Sequence, residues 1–117
     1  MPRKRVAAFW TQYTQLATQY PEAILLFQMG FHYEAYRGDA EIVARVLDRD
    51  PGTRQISLDN QVAMIVILRR ELVGTIAELN AKGYIVAVAD QVPGIMSQGT
   101  RARQIRSVSR GVSQLEP

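Results

Sequence analysis

The chain of 117 residues contains no cysteine, a single histidine and a single tryptophan. Without thiols there is no disulfide, no thiolate metal site and no cysteine nucleophile. With one imidazole and few carboxylates near it in sequence, a zinc site cannot be assembled either. Phosphate-binding glycine loops are missing: neither GxxxxGK[ST] nor GxGxxG occurs, so the chain by itself is not expected to hydrolyse a nucleotide. No apolar run approaches the ~18 residues of a membrane span; the longest, VAMIVIL at 62–68, has the size of a core strand. The basic start MPRKR is followed by TQYTQLATQY, too polar for the apolar part of a secretory leader. A cytoplasmic protein without membrane contact is the expectation.

What is present suits one compact domain, with 47% hydrophobic and 21% charged residues. The expected division is a basic tail at 1–6 and a core at 7–112. Net charge is only +3, from 14 basic and 11 acidic residues, but its placement is uneven. Arg3, Lys4 and Arg5 meet no acid before Glu22. Arg101, Arg103, Arg106 and Arg110 have no acid among them, and the middle is slightly acidic. Basic ends on a near-neutral body suit a polyanion such as nucleic acid, and also suit plain solubilising tails.

Phe9, Tyr13, Leu16, Ala17 and Tyr20 form one helical stripe, so residues 7–20 read as a helix stopped by Pro21. AILLFQM (23–29) reads as a buried strand, and residues 31–36 as an extended arm or second strand beyond Gly30. Gly38-Asp39 opens a second helix with Asp39 as a plausible N-cap. DRDPGTR (48–54) reads as a loop, QISL (55–58) as a strand, and QVAMIVIL (61–68) as a buried strand. A third helix spans Arg69 to Lys82, with Leu72, Ile76 and Leu79 inward and Gly83 as its C-terminal cap. YIVAVADQV (84–92) is a central strand, PGIMSQGT (93–100) a loop, and RQIRSVSRGV (103–112) an edge strand whose Arg106, Val108 and Arg110 share a face by alternation. The fold class is therefore α+β: a mixed β-sheet with flanking helices in the order α-β-β-α-β-β-α-β-β.

Residues 31–36, FHYEAY, carry the chemistry. An aromatic ring can stack on a base or wedge between base steps, contributing roughly 1–3 kcal/mol per base. A carboxylate repelled by phosphates can still accept a hydrogen bond at a base edge. His32 and Glu34, two residues apart on a strand, point the same way. The same pattern also suits cross-strand aromatic packing beside a solvated glutamate, and the segment taken alone favours that packing. His32 and Glu34 could exchange protons, but nothing supplies a nucleophile or an oxyanion hole, so no enzyme is expected and no catalytic residue is assigned.

The run YPEAILLFQMGFHYEAYRGDA, Tyr20 to Ala40, resembles without gaps the opening of the N-terminal mismatch-binding domain of MutS-type DNA mismatch-repair proteins. LNAKGYIVAVADQV, through Leu79, Gly83, Val86, Ala87 and Gln91, resembles a second family segment, and RQIRSVSRGV its basic last strand. The likeness runs from residue 9 to residue 112. It implies a MutS N-terminal domain-like fold that binds double-stranded DNA, paired or mismatched, in DNA repair. In the family a Phe-x-Glu motif reads the mispair: the ring wedges and the glutamate bonds to the base. By position, Glu34 matches that glutamate and Tyr33 the residue between, while His32 stands at the phenylalanine and Phe31 one residue earlier. Arg69 and Arg70 replace a family aromatic and histidine. The resemblance thus implies nucleic-acid contacts at Phe31, His32, Tyr33, Glu34, Arg69, Arg70, Arg101, Arg103, Arg106 and Arg110, and no metal. These 117 residues carry no clamp and no ATPase, so no cofactor is expected, and ATP enters only if a protein partner supplies those parts. The alternative function is a diverged protein-interaction module that keeps the fold but has lost mismatch reading, with the uncharged helix face of Thr11, Gln15 and Thr18 as its contact surface.

Overall fold

The computed structural model describes residues 6–111; the expectations for Arg3, Lys4, Arg5 and Val112 lie outside them. The elements are α1 (Ala8–Gln19), β1 (Ala23–Met29), β2 (His32–Tyr36), α2 (Arg37–Leu47), β3 (Gly52–Gln55), β4 (Gln61–Leu68), a 3-10 turn (Arg69–Glu71), α3 (Leu72–Ala81), β5 (Ile85–Ser97) and β6 (Thr100–Ser109). This is the expected order. The strands form one six-stranded sheet, β3-β4-β2-β1-β5-β6. β1 and β5 pair in parallel and every other neighbour is antiparallel, which makes the sheet mixed.

The sheet buries both faces. On one, Ile24, Leu26, Tyr33, Ala35, Ile67, Val86 and Val88 pack with Val43 and Ala44 of α2 and with Leu72 and Leu79 of α3. On the other, Leu25, Phe27, Tyr36, Ala87 and Ala89 pack with Trp10 and Tyr13 of α1. Two covered faces explain why β1 and β5 read as continuous apolar runs rather than alternating ones. The α1 layer is an aromatic box. Tyr13 stacks on Trp10 at 4.9 Å, and meets Tyr36 at 4.7 Å and Phe27 at 5.6 Å edge-on. Such pairs contribute roughly 0.5–1.5 kcal/mol each beyond area burial.

Several boundaries differ from the sequence expectation. β3 starts at Gly52, inside the stretch expected as a loop, and ends where a strand was expected to begin; Ile56 to Asn60 form the turn into β4. β5 does not stop at Val92 but continues to Ser97, so the expected loop shrinks to Gln98-Gly99. Both residues have positive φ (51° and 87°), the backbone of a tight type I′ hairpin turn. Pro93 and Gly94 are accommodated where pairing lapses between Gln91 and Met96. The far end of this hairpin lies against α1: Gln12 Nε2 donates to the Arg101 carbonyl at 3.0 Å.

Asp39 is not an N-cap. That position is Tyr36, without a side-chain bond, and Asp39 is one turn inside, its Oδ2 accepting the Leu25 amide at 3.1 Å. Burial holds the Asp39 carboxyl above its usual range. Arg69–Glu71 wind as a 3-10 turn before α3, closed by Glu71 Oε1, which accepts the Leu68 amide at 3.0 Å. Gly83, at φ +93°, follows the end of α3 as expected, and the next amide, of Tyr84, returns to the Leu79 carbonyl.

Candidate nucleic-acid interface

The β1–β2 connection is as short as a hairpin allows. Met29 pairs with His32, leaving Gly30 and Phe31 as the turn. Gly30 has φ +70°, and glycine at the first central position is the type II′ pattern, which matches the strand twist. Gln28 braces the turn: its Nε2 donates to the Gly30 carbonyl at 3.0 Å while its Oε1 accepts the Gln91 amide at 2.7 Å. Phe31 therefore sits at the apex, on neither face of the sheet, with 87% of its surface exposed. No register shift is needed to present it.

The next residues are not an outward arm. β2 is a central strand between β1 and β4, and Tyr33, Glu34, Ala35 and Tyr36 are all buried. Tyr33 turns to the α2/α3 face, where its hydroxyl donates to Asp90 Oδ1 at 2.5 Å. It is 4% exposed and does not present a ring to a base. Burial, then the bond to Asp90, raises the Tyr33 pKa.

Glu34 faces the α1 side and is wholly buried, at 0% exposure. Contrary to the expectation of a free carboxylate, both oxygens are occupied. Tyr36 Oη donates to Oε1 at 2.9 Å, Arg54 Nε to Oε1 at 2.9 Å and an Arg54 Nη to Oε2. His32 Nε2 lies 2.7 Å from Oε2. Burial alone would raise the Glu34 pKa; the bonds from Arg54, His32 and Tyr36 outweigh it and hold the carboxyl below its ordinary range. The physical reason for the inward turn is cross-strand. Glu34 pairs with Phe27 on β1, and Arg54 from the edge strand β3 reaches across to neutralise it. Sequence reasoning misses Arg54 because its stretch reads as a loop. A glutamate inside an apolar strand demands a cation partner, and that demand is the signal that could have found it.

On the same face Met29 and His32 pair directly beyond Phe27 and Glu34, and both are partly exposed. Arg103 flanks them. Its Cζ lies 4.3 Å over the Phe27 ring, and it donates to the Gln28 carbonyl at 2.9 Å, the Thr100 hydroxyl at 3.1 Å and the Arg101 carbonyl at 2.9 Å. Arg101 is exposed on the same hairpin. On the other flank, Leu68 pairs with His32, so exposed Arg69 and Arg70 follow at the level of the turn.

The last two arginines are placed differently. Arg106 sits at an irregularity opposite Val88 and Ala89. It falls on the α2/α3 face, where its Nε meets Asp90 Oδ2 at 2.7 Å, whereas Val108 pairs with Ala87 of the α1 face. The shared face expected from alternation is lost because the bulge inserts one residue. Arg110 lies at the opposite end of β1, lining a groove with Tyr20, Pro21 and Ala23. At ~3.3 Å per residue, β1 alone puts it roughly 20 Å from the Phe31 turn. The structure thus places His32, Arg69, Arg70 and Arg103 around the Phe31 turn with Arg101 next to Arg103 on the hairpin, encloses Tyr33 and Glu34, holds Arg106 on the opposite sheet face against Asp90, the partner of Tyr33, and separates Arg110. Among the described residues no group of three or more His, Cys, Asp or Glu side chains could hold a metal ion, and no helix is long and apolar enough to cross a membrane.

These layers define a small α+β domain whose mixed sheet carries helices on both faces and ends in a cationic rim around an exposed ring. The family model for MutS domain I matches residues 7–115, and the chain belongs to that family. It is similar to the DNA mismatch repair protein MutS of Symbiobacterium thermophilum, with 37% identity over 93 residues, 79% of this chain and 11% of the relative. The DNA mismatch repair protein MutS of Lactobacillus delbrueckii subsp. bulgaricus is 30% identical over 115 residues, 98% of this chain and 13% of the relative. That of Synechococcus sp. is 36% identical over 97 residues, 82% and 11% respectively. The chain spans about a tenth of the length of these relatives.

Proposed function

We propose that this domain binds duplex DNA in mismatch repair, with the β1–β2 turn as the reading element and the surrounding arginines on the phosphates. The observation that carries the reading is Phe31: a bare ring at the apex of a braced two-residue turn, rimmed by Arg69, Arg70, Arg101 and Arg103. An aromatic ring with 87% of its surface exposed is suited to stacking in an unstacked step, which is cheapest where pairing is faulty. It takes over the wedge from the position the family motif gives to His32. The domain is a binding module rather than an enzyme, since His32 is bonded to Glu34 and faces no nucleophile. Clamp and ATPase functions would come from MutS-type parts outside these residues.

Fluorescence anisotropy with labelled homoduplex and mismatched duplex tests this. Binding weakens steeply with salt, and Phe31→Ala lowers mismatch affinity by about 1–3 kcal/mol with the fold intact. Equal affinity for the two duplexes would leave DNA binding and remove mismatch reading; no salt-sensitive binding would remove both.

The enclosure of Glu34 favours a second reading, a diverged protein-interaction module. Besides the α1 face of Thr11, Gln15 and Thr18, it could use the adjacent apolar side chains of Ile95 and Met96, both exposed on the β5–β6 hairpin. Ile95→Ser with Met96→Ser abolishing a pull-down of MutS-type partners, while DNA affinity stays unchanged, would select it.

A further inference from the structure

His32 is held in one orientation by a group that can only accept. Glu34 already takes hydrogen bonds from Tyr36 and Arg54 on both oxygens, and an ionised carboxylate has no proton to give. At 2.7 Å from Oε2, His32 Nε2 must therefore be the donor. A neutral ring with its proton on Nε2 carries a lone pair on Nδ1. Nδ1 points away from Glu34, and no described residue bonds to it. The side chain is 32% exposed, beside Phe31 at the turn.

Apolar side chains that wedge between base steps enter from the minor groove. A turn carrying Phe31, with Met29 beside it, would bring His32 to that groove. The minor-groove edges of both bases in an A·T pair offer acceptors, and guanine adds one donor, its 2-amino group.

We propose that His32 is a specificity residue that accepts a hydrogen bond at Nδ1 from the 2-amino group of guanine next to the wedged step, with Glu34 positioning the ring. This rests on the DNA-binding reading above and goes beyond it by giving the base contact to an imidazole acceptor and naming the base. Glu34 acts through His32 and does not touch the DNA. Arg54 and Tyr36 act one step further back, by keeping Glu34 an acceptor.

The test compares duplexes containing a G·T mismatch with ones in which inosine, which differs only by lacking the 2-amino group, replaces that guanine. The wild-type chain binds the guanine duplex roughly three- to tenfold tighter, the range of one net hydrogen bond. His32→Phe and His32→Leu bring the ratio to one while binding stays salt-sensitive. Glu34→Gln, which can donate as well as accept, lowers the ratio without abolishing binding. Nitrogen-15 NMR of the free protein supplies a readout independent of DNA, with the His32 proton on Nε2 in the wild type and no longer fixed there in Glu34→Gln. Equal binding of guanine and inosine duplexes by the wild type, or a proton on Nδ1, overturns the assignment and leaves DNA binding standing. No binding to any duplex overturns the assignment together with the function it rests on.

Discussion

Glu34 shows how a single side chain changes meaning with its surroundings. On a projecting arm it would be a probe; inside the sheet it is a buried charge that needs Arg54. Removing one partner of such a pair strands the other, a loss of about 3–5 kcal/mol for a fully enclosed pair. Arg54 is one-third exposed, so Arg54→Ala is expected at the lower end, about 3 kcal/mol, as a fall in the urea midpoint. The double replacement Glu34→Leu with Arg54→Met recovers part of that loss, because the charge and its partner leave together while the buried Tyr36 hydroxyl loses its acceptor. The pH dependence follows from the lowered Glu34 pKa. The folded state favours the ionised form, so this stabilisation is complete above the ordinary 4.5 and is lost as pH falls through the lower folded value. In Arg54→Ala burial is no longer outweighed by the arginine, so protonating Glu34 relieves the stranded charge, and the gap in urea midpoint between variant and wild type, followed by circular dichroism, narrows as pH falls below 4.5. Asp39 has the opposite sign. Its pKa is raised by burial, so its contribution is greatest below the ordinary 3.8 and declines as pH rises. Asp39→Asn keeps an acceptor for the Leu25 amide and is expected to be at least as stable as wild type at pH 7, by the same urea measurement.

Among the elements, the β1–β2 hairpin is the one whose geometry serves the interface. Gly30 has open space around it, but at φ +70° any side chain is strained. Gly30→Ala costs about 1 kcal/mol and loosens the turn that presents Phe31. It therefore weakens mismatch binding by more than its stability loss implies, a comparison of anisotropy with thermal unfolding. The central elements are legible in the sequence because their signals are local. A seven-residue apolar run, a stop at Pro21 and a helical stripe each carry their own period. β3 is not legible, since Pro51-Gly52 marks a turn and nothing in GTRQ shows that β4 will pair with it. The outer half of β5 is hidden likewise, because Pro93-Gly94 is the signature of a loop and of a bulged edge alike. The enclosure of Glu34 depends on Arg54, 20 residues away in sequence, brought close only when β3, β4 and β2 line up. Phe31 stands out in the sequence, but its place at the apex requires knowing that Met29 and His32 pair.

Over the whole molecule, charge placement separates binding from bystander cations. Arg69 and Arg70 are exposed at the level of the Phe31 turn and Arg101 on the β5–β6 hairpin, whereas Arg110 is at the opposite end and Arg106 is paired with Asp90. Each phosphate contact contributes roughly 0.9 to the slope of log affinity against log salt. Arg69→Ala, Arg70→Ala and Arg101→Ala together reduce that slope by about two to three, while Arg110→Ala leaves it unchanged; titration at several salt concentrations measures both. β1 and β5, the one parallel pair, set another property. Ile24 finds its partner Val86 62 residues later, so during synthesis the middle strand waits, bonded on one side only, until the ribosome has delivered β5. Up to that moment the nascent chain exposes one edge of its most apolar segment, and mispairing with a neighbouring chain is the hazard it runs.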